Sequence, residues 1–214
     1  MLMEYFEYDP LIKDILITGG DALMSKNRVL EQILDEVLKM AIRKRDANKK
    51  RDINERFEEI KRVRLGSRLP AYLPLRINNE LIDILGSFRK KGSAAGIEQF
   101  ILQTHFQSPL EITVEAREAI KAILSAGWSI TNQLVFTTPA SRRGHTAKLR
   151  QVLNSLGVLT YYTFTVKGFE ENREMFTPNS RSVQEQMEEK AFGKIDPEKQ
   201  KNLIEIFKTG ENTA

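Results

Sequence analysis

Short apolar runs rich in branched residues alternate along this chain with longer stretches whose apolar positions recur at helical spacing. This is the pattern of successive strand-helix units built on a parallel sheet, and five such units are legible. The first joins a strand from Asp14 to Thr18 to a helix starting near Lys26, whose Leu30, Ile33, Leu34, Val37, Leu38 and Ala41 form one stripe. The second has a strand from Arg62 to Leu65, a loop from Gly66 to Pro74, and a helix capped by Asn78 that packs Leu81, Ile82, Leu85 and Phe88. Gly92 to Gly96 is expected to break that helix ahead of a strand from Gln99 to Thr104. Thr113 caps the next helix, which turns Ala116, Ala119, Ile120, Ile123 and Leu124 inward and stops at Gly127. A strand from Ser129 to Phe136, a polar loop to Gly144, a helix stopped at Gly157 and a strand from Val158 to Val166 complete the series. Beyond it, Gly168 to Asn179 reads as loop, Ser182 as the cap of a short helix from Val183 to Phe192, and the last dozen residues as a tail.

Repeated units of this kind close or partly close into a barrel, so the expected fold is α/β, a partial (βα) barrel over residues 1–195 with a tail over 196–214. In such folds ligands sit at the carboxyl ends of the strands, where the loops converge. The polar residues fall there: Thr18 to Asp21 after the first strand, Ser67 and Arg68 after the second, Thr104 and His105 after the third, Asn132 and Gln133 on the fourth, and Lys167 after the fifth. Each has a plain reading beside a functional one. Gly19-Gly20-Asp21 is either a simple turn or a close backbone approach to a ligand, with a carboxylate to accept from an ammonium group. His105 is a general base or a hydrogen-bonded structural residue. Arg68 and Arg76 clamp an anion or pair locally. Asn132 and Gln133, amides on an otherwise apolar strand, need partners, and at least one is expected to face a polar ligand or its rim neighbours. Lys167 is an anion binder, an imine-forming amine, or a solvent-facing lysine.

Composition narrows the chemistry. With 41% hydrophobic content, 214 residues suffice for one substantial core. There is no cysteine, which removes disulfides, zinc-thiolate sites and cysteine nucleophiles, and two histidines argue against an all-histidine metal site. No apolar run approaches the roughly 20 residues that span a bilayer, and the acidic start lacks the basic and apolar regions of a secretory signal, so a cytoplasmic protein is expected. Between Arg43 and Arg62, nine Lys or Arg face five acids, a local excess equal to the net +4 of the whole chain. Phe57 is the only aromatic in that run and no nucleic-acid-binding motif accompanies it, so it reads as a solvated, charged insertion near 43–60 and nucleic acid is not the expected partner.

The motifs taken in order are more specific than any one of them. Ile-Leu-Ile-Thr-Gly-Gly-Asp-Ala-Leu at 15–23, Val-Arg-Leu-Gly-Ser-Arg-Leu-Pro-Ala-Tyr-Leu-Pro-Leu-Arg-Ile at 63–77, Leu-Gln-Thr-His-Phe at 102–106, Pro109 with Glu111-Ile-Thr113, and Ala126-Gly127 followed by Asn132-Gln133 form a series. Over roughly residues 10 to 167 it resembles the lysine 2,3-aminomutase family of radical S-adenosylmethionine enzymes. The resemblance implies a partial (βα) barrel in which Gly19, Gly20 and Asp21 bind the methionyl amino group of S-adenosylmethionine, with Ser67, His105 and Gln133 around the same cofactor. In that family a [4Fe-4S] cluster cleaves S-adenosylmethionine, the resulting radical takes hydrogen from an amino acid, and pyridoxal phosphate carries the migrating amino group.

This chain departs from the family pattern. The Cys-x3-Cys-x2-Cys loop after the first barrel strand is missing, as are the residues that hold pyridoxal phosphate and the glycine-rich lysine segment that forms its imine. The expectation is a central fragment, a split gene product or a decayed paralogue, inactive alone and completed by the missing parts of the enzyme, with a homo-oligomer as a further possible arrangement. The alternative class is a non-catalytic, partner-binding remnant docking through open sheet edges. Lysine aminomutases place an aspartate where this chain aligns Lys167, and reversing that charge favours an anionic substrate such as glutamate, an arrangement similar to glutamate 2,3-aminomutase.

Overall fold

The computed structural model describes residues 2–135, 137–138, 144–164 and 175. In chain order the elements are α1 (Leu2–Tyr8), β1 (Asp14–Ile17), α2 (Asn27–Asn48), β2 (Arg62–Gly66), α3 (Leu69–Tyr72), α4 (Asn79–Ala94), β3 (Gln99–Thr104), α5 (Val114–Ser125), β4 (Ser129–Val135), α6 (His145–Ser155) and β5 (Val158–Phe164), with short 3-10 turns between them. The strands form one five-stranded parallel sheet in the order β1-β2-β3-β4-β5, so the α/β architecture expected from periodicity is present. Pairing is one to one: Asp14 lies against Arg62 and Arg62 against Gln99, while Leu16, Arg64, Ile101 and Ser129 form a row across four strands. Lys167 and the segment expected to form the helix from Val183 to Phe192 lie outside the described residues.

Strand alternation assigns the two faces. Ile15, Val63, Leu65, Phe100, Leu102, Ile130 and Leu134 are buried on one face, together with the stripes of α2 (Leu30, Leu34, Val37), α4 (Leu81, Leu85, Phe88) and α5 (Ala116, Ile120, Ile123). Trp128 anchors this core. It is buried with its ring centroid 5.7 Å from that of Phe100, and its indole N–H donates to the Leu85 carbonyl at 3.0 Å. The helices start where the caps predict: Asn78 Oδ1 accepts from Leu81 N at 3.0 Å and Thr113 Oγ1 from Ala116 N at 3.2 Å.

Helix α4 ends at Ala94, within the Gly92–Gly96 segment expected to break it, and Gly92 itself lies in its last turn. A Cβ there would lie 2.8 Å from the Phe100 ring, so this glycine serves close helix-sheet packing. The charged run expected as a solvated insertion is not solvated throughout: its first residues are the last turns of α2, where Lys44 and Asn48 are buried. Lys44 is buried, and its ammonium donates to the carbonyls of Phe6 at 3.1 Å, Asp9 at 2.8 Å and Ile12 at 2.8 Å. Those acceptors include the end of α1 and the segment leading into β1, so Lys44 ties both to α2. Burial pushes the Lys44 pKa down, opposed by the nearby Asp9 carboxylate. Asn48, also buried, holds the returning chain: its Oδ1 accepts from Phe57 N at 2.9 Å and its Nδ2 donates to Phe57 O at 2.7 Å.

The chain divides into two compact units, Met1–Phe106 with Leu110–Leu134 and Leu153–Tyr162, and Gln107–Pro109 with Val135–Val152 and Thr163–Ala214. Within the second, Gln107 Oε1 accepts from Val135 N at 3.0 Å, and His145 Nε2 lies 3.1 Å from Ser108 Oγ.

Replacing Lys44 with methionine keeps the stem and leaves three carbonyls without their donor, and it is expected to lower unfolding free energy by about 2–3 kcal/mol in urea titrations. Gly92→Ala tests the packing role by its sign. Helix propensity alone would favour alanine by about 1 kcal/mol, whereas the clash with Phe100 predicts a net loss of stability by the same measurement.

Candidate functional site

At the carboxyl end of β1 the backbone turns through two residues that require glycine. Gly19 and Gly20 adopt φ of +116° and +66°, in the left-handed region, and a Cβ built on either meets nothing within 4 Å. The turn is therefore open on its outer side. Asp21, the next residue, is extended and caps the following turn: Oδ1 accepts from Leu23 N at 2.9 Å. Its Oδ2 accepts from Arg68 N at 2.6 Å, in the loop after β2. One carboxylate thus joins two rim loops, and each oxygen keeps a further lone pair for a ligand.

Ser67 is buried at the end of β2; its N–H donates to Gln103 O at 2.9 Å and its Oγ accepts from Leu69 N at 3.1 Å, fixing the start of α3. Arg68 stacks on the Tyr72 ring with its guanidinium carbon 4.4 Å from the ring centroid and also bonds the Tyr72 hydroxyl. Arg76, the other arginine considered as an anion clamp, is committed elsewhere: its Nη2 donates to Ser25 O at 2.8 Å and to Asn27 Oδ1 at 2.6 Å, bracing the entry to α2.

The two amides of β4 separate cleanly. Asn132 is buried, accepts from Phe106 N at 2.6 Å and donates to Phe106 O at 3.1 Å, so it holds the backbone that follows His105. Its partners are wholly internal. Gln133, on the opposite face by alternation, is half-buried beside His105. His105 itself is half-buried with a pKa held below its usual 6.5, first by burial and then by the Arg68 guanidinium; the Gln133 backbone carbonyl and the Asp21 carboxylate oppose both. Asp21, Arg68, His105 and Gln133 are therefore close enough to act on one another. The loops after β1, β2 and β3 and the end of β4 meet in one region of the first unit.

This cluster can bind a polar, zwitterionic ligand: backbone N–H groups accessible at Gly19 and Gly20, a carboxylate for an ammonium, and an arginine for a carboxylate. Among the described residues no group of three or more His, Asp or Glu is placed to hold a metal, and the sequence has no cysteine. Sequence reasoning missed how far the site is braced from within, by Asp21 across two loops and by Asn132 behind His105. The only signal was the need of a buried amide or carboxylate for partners.

A His105 pKa below 6.5 in the folded chain means that the unfolded chain binds the proton more readily. The histidine's contribution to stability is then fully present above about pH 6.5 and lost as pH falls below it. Titration of the His105 ring resonances by NMR is expected to give a midpoint below 6.5, rising in Arg68→Ala. A midpoint at or above 6.5 contradicts the burial described above.

No protein-family model matches the chain. Among curated proteins it is 34% identical over 185 residues to an uncharacterised KamA family protein of Methanocaldococcus jannaschii, covering 86% of this chain and 26% of that protein. It is 30% identical over 163 residues to the L-lysine 2,3-aminomutase of Clostridium subterminale, covering 76% of this chain and 33% of that protein. With the glutamate 2,3-aminomutase of Clostridioides difficile it shares 29% identity over 166 residues, covering 77% of this chain and 33% of that protein. The chain thus spans about a quarter to a third of the length of these relatives. Over the part it shares with them, it belongs to the KamA, or lysine 2,3-aminomutase, family.

Proposed function

We propose that this chain is the central, partial-barrel part of a radical S-adenosylmethionine amino-acid 2,3-aminomutase, and that its rim holds S-adenosylmethionine. The observation that carries the reading is the convergence of Gly19, Gly20, Asp21, Arg68, His105 and Gln133 at the carboxyl ends of adjacent strands. The residues fit the nucleoside cofactor. Two left-handed glycines leave their outer side open, the Asp21 carboxylate retains lone pairs for the methionyl ammonium, and His105 and Gln133 border the same space. Ser67 supports the rim from beneath, through its bond to Leu69 N.

The residues do not fit the iron-sulfur cluster, which requires thiolates that this sequence lacks, and the chain offers no identified imine lysine for pyridoxal phosphate. The proposed activity therefore needs polypeptide that carries those ligands, and the chain alone is inactive. On this reading the reaction exchanges an amino group between the α and β carbons of an amino acid. Lys167 favours an anionic substrate, glutamate above lysine, because it would attract a distal carboxylate and repel a distal ammonium. Residues outside the described part of the chain would complete the substrate site.

Titration calorimetry is expected to show S-adenosylmethionine binding to the chain alone, weakened about tenfold or more in Asp21→Asn, which loses the charge and turns one of the two accepting oxygens into a donor. A chain that stays folded and shows no binding removes the cofactor reading and leaves a non-catalytic, partner-binding remnant. Reconstituted with a segment bearing Cys-x3-Cys-x2-Cys and the pyridoxal phosphate lysine, the assembly is expected to turn over glutamate faster than lysine, and Lys167→Asp to reverse that order.

A further inference from the structure

On the face of the sheet opposite α2, α4 and α5, the row below the rim is charged. Asp14, on β1, accepts from Arg64 Nε at 2.9 Å and from Arg62 Nη1 at 3.3 Å, and Arg62 Nε donates to Gln99 Oε1 at 2.5 Å. One carboxylate between two guanidinium groups leaves this row with an excess of one positive charge. Asp14 also fixes the plane of the Arg64 fork, so that less side-chain entropy is lost when the fork meets a ligand. Gln103, two register rows nearer the rim on the same face, is buried, and its Oε1 lies 3.5 Å from Arg64 Nη1, at the limit of a hydrogen bond. Among the described residues, neither Arg64 Nη2 nor Gln103 Nε2 has an acceptor. These two donors border a cavity of about 390 Å³, whose wall includes Ile101, Leu159 and Tyr161. That volume is within the range of small-molecule sites. At its mouth Glu98 pairs with Lys61 at 3.0 Å, which leaves Arg89 as a further positive charge beside the Arg62-Arg64 row.

We propose that this cavity binds a small organic monocarboxylate, with Arg64 as its ion-pair partner, Gln103 as its second donor, and Ile101, Leu159 and Tyr161 against its apolar part. A monoanion neutralises the excess charge of the Arg62-Arg64 row itself, where the ligand carboxylate would sit. The apolar wall suits a carbon skeleton better than an inorganic ion. The cavity's lining includes none of the rim residues Gly19, Gly20, Asp21, Arg68, His105 and Gln133. Arg64 lies in the row of Ile101, about 13 Å along the strand before His105, and Gln103 lies between them, about 7 Å before it. The assignment does not depend on the aminomutase reading.

The probe is benzoate, titrated into the full chain and followed by backbone amide shifts on β2, β3 and β4, with benzamide as its uncharged counterpart and inorganic phosphate as the competing anion. Benzoate is expected to bind, benzamide at least tenfold more weakly, and phosphate more weakly than benzoate. Arg64→Met is expected to weaken benzoate at least tenfold. Gln103→Leu, which removes a side chain with only one marginal bond, should weaken it about threefold without lowering the melting temperature. Should Arg64→Met fail to fold, Arg64→Lys and Gln103→Leu carry the test, both weakening benzoate. S-adenosylmethionine binding at the rim should be unchanged in Gln103→Leu, which separates failure here from failure of the rim assignment. Equal affinity for benzoate and benzamide, preference for phosphate, no benzoate response at tens of millimolar, or unchanged affinity in the folded variants overturns the proposal.

Discussion

Parallel pairing in one-to-one register imposes a common level on the strand ends, and the rim cluster follows from it. Because Ile17, Leu65, Leu102 and Ile130 share one row, the chain leaves β1, β2 and β3 at neighbouring heights on the same edge. Residues as far apart in sequence as Asp21, Arg68, His105 and Gln133 are thereby brought within electrostatic reach. The register is held by the cost of losing it. A slip of one residue on β2 would exchange Val63 and Leu65 for Arg62 and Arg64, placing two guanidinium groups against α2 and α4 and away from Asp14.

Rim loops bury Ala22, Leu23, Leu69 and Phe106, and they are further held by single polar side chains addressed to backbone. Asp21 spans the loops after β1 and β2, Ser67 fixes the entry to α3, and Asn132 grips Phe106 from the adjacent strand. Each satisfies backbone donors that a loop leaves without partners. Gly19 and Gly20 do the reverse, removing side chains where the surface must be open. A braced rim with one open turn suits a ligand recognised by backbone and a few charges, since little ordering remains to be done on binding.

The same economy operates away from the rim. Lys44 supplies three bonds to carbonyls of the N-terminal segment, and Arg76 braces the start of α2. Both are cations that sequence inspection assigns to solvent or to an anionic ligand. Their hydrogen bonds show them acting within the fold. No helix among the described residues is long and apolar enough to cross a membrane.

Local periodicity was enough to place β3 at Gln99–Thr104, to start α4 and α5 after Asn78 and Thr113, and to mark Gly127 and Gly157 as positive-φ stops, because each depends on neighbours within a few residues. The motif order was likewise legible as a family resemblance. The short α1 was not, having no buried residue and depending on Lys44 and α2 for its place. Nor was the role of Gly92, which answers to a phenylalanine on another element. Asn132 and Gln133 mark the limit. Sequence placed both amides on one strand, but only the position of Phe106 and His105 decided which was satisfied internally and which faced the rim. A side chain's type states which partners it needs, while the partners themselves arrive from elsewhere in the chain. Tertiary structure therefore decides whether a polar group is structural or left for a ligand.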